Sequence, residues 1–322
     1  MGWSDVKASV LAGGGCRIEG ALPPRAVARS TAGPGAGGAG AIFFSSDGRR
    51  IRIPLGTDGP AILTVAPDGS ATLRCGAGTM EGRIEPVGLH CPRQAFVTVS
   101  ESCVHDCAYC PVPACQGPRK SIEEVVALVE EVAGSVDAIA LTSGVADSIE
   151  EEVEYVCRVV AALRRFDLPI GVSILPTPDT PARLHALGVS EVKFNLEAAT
   201  PDLFARYCPG LSYETIWNAL ASSIPLFGKG HVFSNVILGL GESDEELDDC
   251  VERLVSLGVV PILRPLNPVA GCSALSRPDA DRLLRASEHL SNALVTSRLD
   301  PSVALSMCGA CTGCDVTAWR DL

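Results

Sequence analysis

Cys103, Cys107 and Cys110, in "CVHDCAYC", are spaced C-x3-C-x2-C, and Cys308, Cys311 and Cys314, in "CGACTGCD", are spaced C-x2-C-x2-C. Three thiolates this close can hold three corners of a four-iron cubane and leave its fourth iron open to an outside ligand. The other chemistry available to them is structural zinc, which wants four ligands and more often shows paired C-x-x-C arms. Glycines punctuate the second group, as tight convergence of thiolates requires. For that group three states stand side by side: a second four-iron cluster, a zinc knot with a fourth ligand elsewhere, and a redox-inert tail.

Thiolates are only as useful as the elements that hold them. From 95 onward the chain repeats a short apolar strand, a polar turn and a long amphipathic helix, with strands expected at 95–100, 138–143, 170–175, 191–196, 232–238 and 259–263. Ser121 with Glu124, Ser148 with Glu151, and Ser243 with Glu246 have capping-box spacing at three helix starts. Six successive βα units predict a parallel sheet, curled into a partial TIM-type barrel, whose chemistry sits at the carboxyl ends of the strands. The first cassette follows the first of these strands directly. Before the repeat, "AIFFSSDGRRIRIPL" and "AILTVAPDGSATLRC" each predict two strands about an Asp-Gly turn. The expected organisation is a β-rich unit over 1–92, the barrel over 93–298 and a cluster-binding tail over 299–322. The glycine-dense stretch 31–40 lacks the Lys-Ser/Thr of a phosphate-binding loop and is expected to be a flexible connection.

C-x3-C-x2-C at the end of the first strand of a βα repeat resembles the radical SAM superfamily. By that resemblance the first cassette binds a 4Fe-4S cluster whose open iron is chelated by S-adenosylmethionine, and reductive cleavage of the sulfonium yields a hydrogen-abstracting deoxyadenosyl radical. The resemblance further implies that Tyr109 packs near the adenine and that Thr142, Ser143 and Gly144 approach the methionyl amine, although "LTSG" matches the family's glycine-rich motif only in part. It gives Asn195 and Glu197 the ribose hydroxyls, and gives Ile237 and Gly239 in "VILGLGE" an adenine contact and a close backbone approach. Arg264 and Asn267, after the sixth strand, are candidates for the SAM carboxylate or a substrate, or for a structural role.

Within the superfamily, residues 95–270 resemble most the biotin synthase and lipoyl synthase branch, through "EVKFNLEAATPDLFARYCPGLSYETIWNAL" and "HVFSNVILGLGESDEELDDCVERLVSLGVVPI". Biotin synthase keeps a two-iron cluster inside its barrel on strand cysteines. Val172 and Phe233 stand at two of those positions, which removes that site. The tail cysteines, similar to the compact arm of ferredoxin-type clusters, are then the place expected for an auxiliary 4Fe-4S cluster. The implied function is radical insertion of sulfur into unactivated C–H bonds, as in lipoyl cofactor synthesis, with the tail cluster as sulfur donor. The family-level fit is a component of an archaeal-type two-part lipoyl synthase. Its implied partners are SAM, an octanoylated (lipoyl) carrier protein, a second radical SAM subunit and a reductant such as ferredoxin. The alternatives are a radical SAM enzyme of another cofactor-assembly or protein-modification pathway with an electron-transferring cluster, and a non-catalytic metal protein.

Of the other cysteines, Cys157 and Cys250 fall in helical patterns and are expected in the core, while Cys16, Cys75, Cys91, Cys115 and Cys208 have no assigned role. Cys272, just past the sixth strand, is a candidate fourth ligand for the tail. His105 is expected to tune the cassette without binding iron, and His90, His185, His231 and His289 show no ligand spacing. The chain of 322 residues is 47% apolar, enough for a sizeable core. A formal charge of -12 argues against a grip on bulk nucleic acid, which needs excess Lys and Arg, and leaves only a local basic patch, with "ALRRF" at 162–166 as a candidate part of one. No membrane-length apolar run and no signal-peptide pattern at "MGWSDVKASV" leave the cytoplasm as the expected compartment, where clustered cysteines more often hold metal than form disulfides.

Overall fold

A computed structural model describes residues 2–28, 40–56, 59–115, 117–268 and 270–322. Residues 31–39 of the glycine-dense stretch and the Cys115 side chain lie outside the described residues. The chain opens on a helix, α1 (Trp3–Gly13), followed by β1 (Cys16–Gly20), β2 (Ala41–Ser46), β3 (Arg49–Pro54), β4 (Ala61–Val65), β5 (Ser70–Cys75) and β6 (Gly78–Glu85). These six strands form one sheet in the order β1-β4-β5-β6-β2-β3. Both Asp-Gly turns fall where expected: β2 pairs antiparallel with β3, and β4 with β5. Their inward faces enclose a core that includes Ile42, Phe44, Ile51, Ile53, Leu63 and Leu73, all fully buried. The α1 helix was not foreseen.

The second sheet is the parallel one. It contains β7 (Gln94–Thr98), β8 (Ala138–Thr142), β9 (Ile170–Ser173), β10 (Glu191–Lys193), β11 (Val232–Leu238) and β12 (Val260–Pro265), with the short α2 (Val112–Cys115) and then α3 (Ile122–Val132), α4 (Ile149–Leu163), α5 (Thr180–Ala186), α6 (Pro201–Tyr207), α7 (Tyr213–Phe227), α8 (Asp244–Leu257) and α9 (Ala280–Ser297) between and after the strands. The strands run in spatial order β12-β11-β10-β9-β8-β7, the sequential order of an open half-barrel. All six expected strands are present, within a few residues of their expected limits. Ser121 with Glu124 and Ser243 with Glu246 form reciprocal capping boxes, whereas Ser148 accepts from the Glu151 amide without the return bond. Cys157 and Cys250 sit in the core, on α4 and α8.

The final stretch is ordered. A five-residue helix, α10 (Met307–Cys311), brings Cys308 and Cys311 into buried positions at 9% and 7% exposure, so this segment is not a frayed tail. It docks on residues at the beginnings of the barrel strands. Glu191, the first residue of β10, accepts from the Leu305 amide at 2.7 Å, the Ser306 amide at 2.8 Å and the Ser306 hydroxyl at 2.6 Å. Gln94, the first residue of β7, donates to the Met307 carbonyl at 3.0 Å. Gly171 on β9 lets the tail close in, because a Cβ there would lie 2.1 Å from Ser306 Oγ. On its other side the tail meets the first sheet, where the Arg52 amide donates to the Gly313 carbonyl at 2.7 Å and the Arg50 guanidinium to the Cys311 carbonyl at 3.2 Å. The tail cassette therefore has a barrel context that its sequence position does not reveal: it closes the amino end of the barrel under the β2–β3 hairpin.

Candidate active site

Cys103, Cys107 and Cys110 occupy the loop after β7, at the carboxyl end of the sheet, and line one cavity. Local backbone bonds shape the loop. The Cys110 amide donates to the Cys107 carbonyl at 2.9 Å, the Ala108 amide to the Tyr207 carbonyl at 2.9 Å, and the Val104 amide to the Val145 carbonyl at 2.8 Å. Under the loop the buried Glu152 carboxylate accepts from the Ser100 hydroxyl at 2.8 Å and from Arg119 at 2.8 Å, and it also binds the Ser143 hydroxyl. Glu152 went unnoticed in the sequence because its position reads as an ordinary first-turn acid of α4.

The same cavity is lined by His105, Tyr109, Thr142, Ser143, Gly144, Asn195 and Glu197. Gly144 has no room for a side chain, since a Cβ would stand 2.1 Å from the Ser102 carbonyl oxygen, so its backbone presses directly against the cassette loop. Glu197 is 7% exposed, adopts a left-handed backbone at φ 62, and leaves Oε2 buried with no hydrogen-bond partner. Burial raises its carboxyl to about 7, with the Lys193 charge pulling the other way. The His105 Nε2 atom is likewise buried and unpartnered, and burial lowers its pKa. Hydrogen bonding to Cys208, then burial, raises the Cys107 thiol, and burial raises Cys110 to about 12. Tyr109 is buried and its hydroxyl lies 3.4 Å from Cys208 Sγ.

This donor set fits the group that the sequence implies. Three thiols share one wall, a carboxylate oxygen is left for hydroxyl donors, and Gly144 gives backbone-close access beside the thiols. Among the described residues no three His, Cys, Asp or Glu side chains converge as a single bare metal ion demands. A cubane instead offers separate irons to separate thiolates, which suits sulfurs spread around a cavity.

Other candidates lie elsewhere. Ile237 donates its amide to the Glu197 carbonyl at 2.8 Å and Gly239 donates its amide to Glu242 at 2.7 Å, and neither lines the cassette cavity. Asn267 accepts from Arg277 and does not line the cassette cavity. Cys272 is placed beside the cassette and not in the tail, because the adjoining Gly271 packs against the Ala108 backbone. Arg264, a candidate for the SAM carboxylate, faces the other way: its Nη2 lies 3.1 Å from Cys308 Sγ. The alternation of the strand turns it, like Ile262, toward the barrel interior, and its length carries the guanidinium to the tail.

That interior forms a second cavity, lined by Cys308, Cys311 and Cys314 together with Lys193, Asn195, Asn235, Arg264 and Cys91. Lys193 is 5% exposed and its Nζ lies 3.1 Å from Cys308 Sγ. Asn235 Oδ1 is buried there without a partner. A hydrogen bond from Cys91, supported by the Arg50 charge and opposed by burial, lowers the Cys311 thiol to about 6, while that bond and burial push Cys91 well up. Thr142, Ser173 and Asn195 line both cavities, so the two cavities share one polar wall.

Residues 97–254 match the family model described as Radical SAM superfamily. Among solved structures the chain is similar to the FeFe-hydrogenase maturase HydG from Carboxydothermus hydrogenoformans, at 20% identity over 63% of this chain and 52% of that one, with a TM-score of 0.51. It is also similar to a radical SAM methyltransferase from Sphaerobacter thermophilus, at 17% identity over 79% and 71% with a TM-score of 0.53. A third is Streptococcus suis SuiB bound to S-adenosylmethionine, at 13% identity over 65% and 49% with a TM-score of 0.54. At these identities the likeness is one of fold. The chain spans about half the length of HydG and of SuiB. No curated protein matches its sequence. Among the described residues no helix is long and apolar enough to cross a membrane.

Proposed function

Residues 97–254 belong to the radical SAM superfamily, and on that premise we propose that this enzyme inserts sulfur into unactivated C–H bonds of a lipoyl-type precursor, with a tail-bound cluster as donor. The observation that supports it is the wall of Thr142, Ser173 and Asn195 shared by the cassette cavity and the tail cavity. A cluster held by Cys103, Cys107 and Cys110 would, with SAM, supply hydrogen-abstracting radical chemistry at the cassette end. The chain's own part is to ligate through Cys103, Cys107 and Cys110, to take hydroxyl donors at Asn195 and Glu197, and to hold sulfur-bearing groups on Cys308, Cys311 and Cys314. Lys193 and Arg264 donate N–H to Cys308 Sγ at 3.1 Å each. The partners in this scheme are an octanoylated carrier protein, a second radical SAM subunit and a reductant such as ferredoxin, in the cytoplasm.

The test is anaerobic turnover of the reconstituted protein with SAM, a reductant and an octanoyl-lysyl peptide, with and without a partner subunit. Sulfur should appear on the octanoyl chain while the tail site loses sulfide. SAM turnover with no sulfur transfer under either condition rejects the proposal. The contacts of Lys193 and Arg264 with Cys308 support a second reading, because N–H···S bonds tune cluster potentials for electron transfer. In that case the product is another modified cofactor or side chain, and the sulfide content of the tail stays constant over turnover.

A further inference from the structure

Cys91 stands far from the tail in sequence, on the connection between β6 and β7, yet it belongs to the tail cavity. It lines that cavity with Cys308, Cys311 and Cys314, and it packs in one small buried cluster with Cys311, Phe43 and Val87. Its backbone is held in place: the Gly88 amide donates to the Cys91 carbonyl at 3.2 Å, and Cys91 forms an isolated antiparallel bridge with Gln94. Gln94 in turn donates to the Met307 carbonyl at 3.0 Å, which couples the Cys91 turn to the helix that presents Cys308 and Cys311. Cys91 is followed by Pro92. Ferredoxin-type sites combine a C-x2-C-x2-C arm with a Cys-Pro from elsewhere in the chain.

We propose that Cys91 supplies the fourth thiolate of a site formed with Cys308, Cys311 and Cys314, which holds a four-iron cluster between the first sheet and the amino end of the barrel. This rests on the reading that the tail binds a cluster, and it adds the ligand that closes the coordination. On binding, each of the four thiols releases its proton to solvent and forms one iron–sulfur bond, with no change of oxidation state. Four thiolates on a doubly positive core leave a net charge of about two negative units, which is costly to bury without compensation. The cavity supplies it. Lys193 and Arg264 reach Cys308 Sγ at 3.1 Å each, while Arg50, itself paired with Glu85 at 2.9 Å, donates to the Cys311 carbonyl at 3.2 Å. In a chain of net charge -12, this local gathering of cations around sulfur is a specific feature.

The experiment isolates the tail by working in a Cys103→Ala, Cys107→Ala, Cys110→Ala background, reconstituted anaerobically with iron and sulfide. That protein should bind about four irons and four sulfides. Adding Cys91→Ala, or Cys91→Ser if alanine impairs folding, should open one corner, so that mild ferricyanide oxidation sheds one iron and produces the electron paramagnetic resonance signal of a three-iron cluster. Cys75→Ala, on β5, serves as the control and should keep all four irons through the same oxidation. Identical iron content and identical oxidised spectra with and without Cys91 overturn the proposal. Failure of the background protein to bind iron, or retention of its iron after loss of Cys308, Cys311 and Cys314, rejects the tail cluster itself, a different failure. One zinc ion held in place of iron and sulfide also overturns the cluster.

Discussion

Glu197 brings together the local features of the cassette cavity. A non-glycine residue at φ 62 is uncommon, and here the conformation is held by two sheet bonds, from its amide to the Asn235 carbonyl and from the Ile237 amide to its own carbonyl, each 2.8 Å. The strain aims a carboxyl into the cavity with one oxygen unpartnered. Burial raises its pKa to about 7, against roughly 4.3 in an unfolded chain. Between those values the folded protein keeps a proton that the unfolded chain has released, so stability falls as pH rises through this window and levels off above it. The loss is on the order of 3 kcal/mol. Urea unfolding of the metal-free protein at pH 5 and pH 7.5 should show this component in the native sequence and not in Glu197→Gln. Parallel losses in both proteins would count against a buried, proton-holding Glu197.

At the scale of elements, the docking of the tail on the starts of the barrel strands decides whether the two cavities can face each other. Glu191 is fully buried and satisfies two backbone amides and a hydroxyl of the tail, while His231 Nδ1 lies 3.1 Å from Oε1, the oxygen that also accepts from the Leu305 amide. Glu191→Ala leaves buried donors unsatisfied and should cost about 3–5 kcal/mol, at roughly 1–3 kcal/mol for each orphaned group. Gly171→Val acts on the same joint by sterics, because even the first added carbon meets Ser306 Oγ and the Met307 side chain. With the proposed tail cluster in place, both variants should lose the tail's iron while the cassette keeps its own share. Unchanged total iron in both would show that the docked tail is not needed to hold metal.

At the scale of the whole molecule, α1 and the last residues of the tail are clasped together. Lys7 Nζ donates to the Thr312 carbonyl at 2.6 Å and pairs with Asp321 at 2.7 Å, both side chains being almost wholly buried. Trp3 Nε1 reaches the other Asp321 oxygen at 2.7 Å, and the Thr317 amide donates to Asp321 at 2.6 Å. Removing one partner strands the other charge away from water, so Asp321→Asn should destabilise the protein by about 3–5 kcal/mol. Replacing both partners with apolar residues of similar size should recover only part of that loss, because Trp3 Nε1–H, the Thr317 amide and the Thr312 carbonyl then lose their partners. Thermal and urea unfolding of the single and double variants provide the comparison, and a single-variant loss under about 1 kcal/mol would mean that the clasp does not hold the tail. The helix that makes this clasp escaped the sequence analysis because only its packing against the tail and α9 explains a lysine on its buried side.

Hydrophobic period and turn chemistry are local, and so the sequence by itself determined the six parallel strands in order, the two Asp-Gly hairpins and the cassette placed after the first barrel strand. The expectation of radical SAM chemistry follows from that placement, since cysteine spacing and strand context lie within a few residues of each other. Tertiary structure alone decided where the tail goes, that Arg264 turns to Cys308 and away from the cassette, that Cys272 stands apart from the tail, and that Cys91 joins it. The proposed sulfur insertion also depends on this level, through Thr142, Ser173 and Asn195, three residues from three different strand ends. A thiol's role is set by the partners that reach it through space. Here the chain returns across the whole barrel before those partners meet, and no sequence period records such a contact.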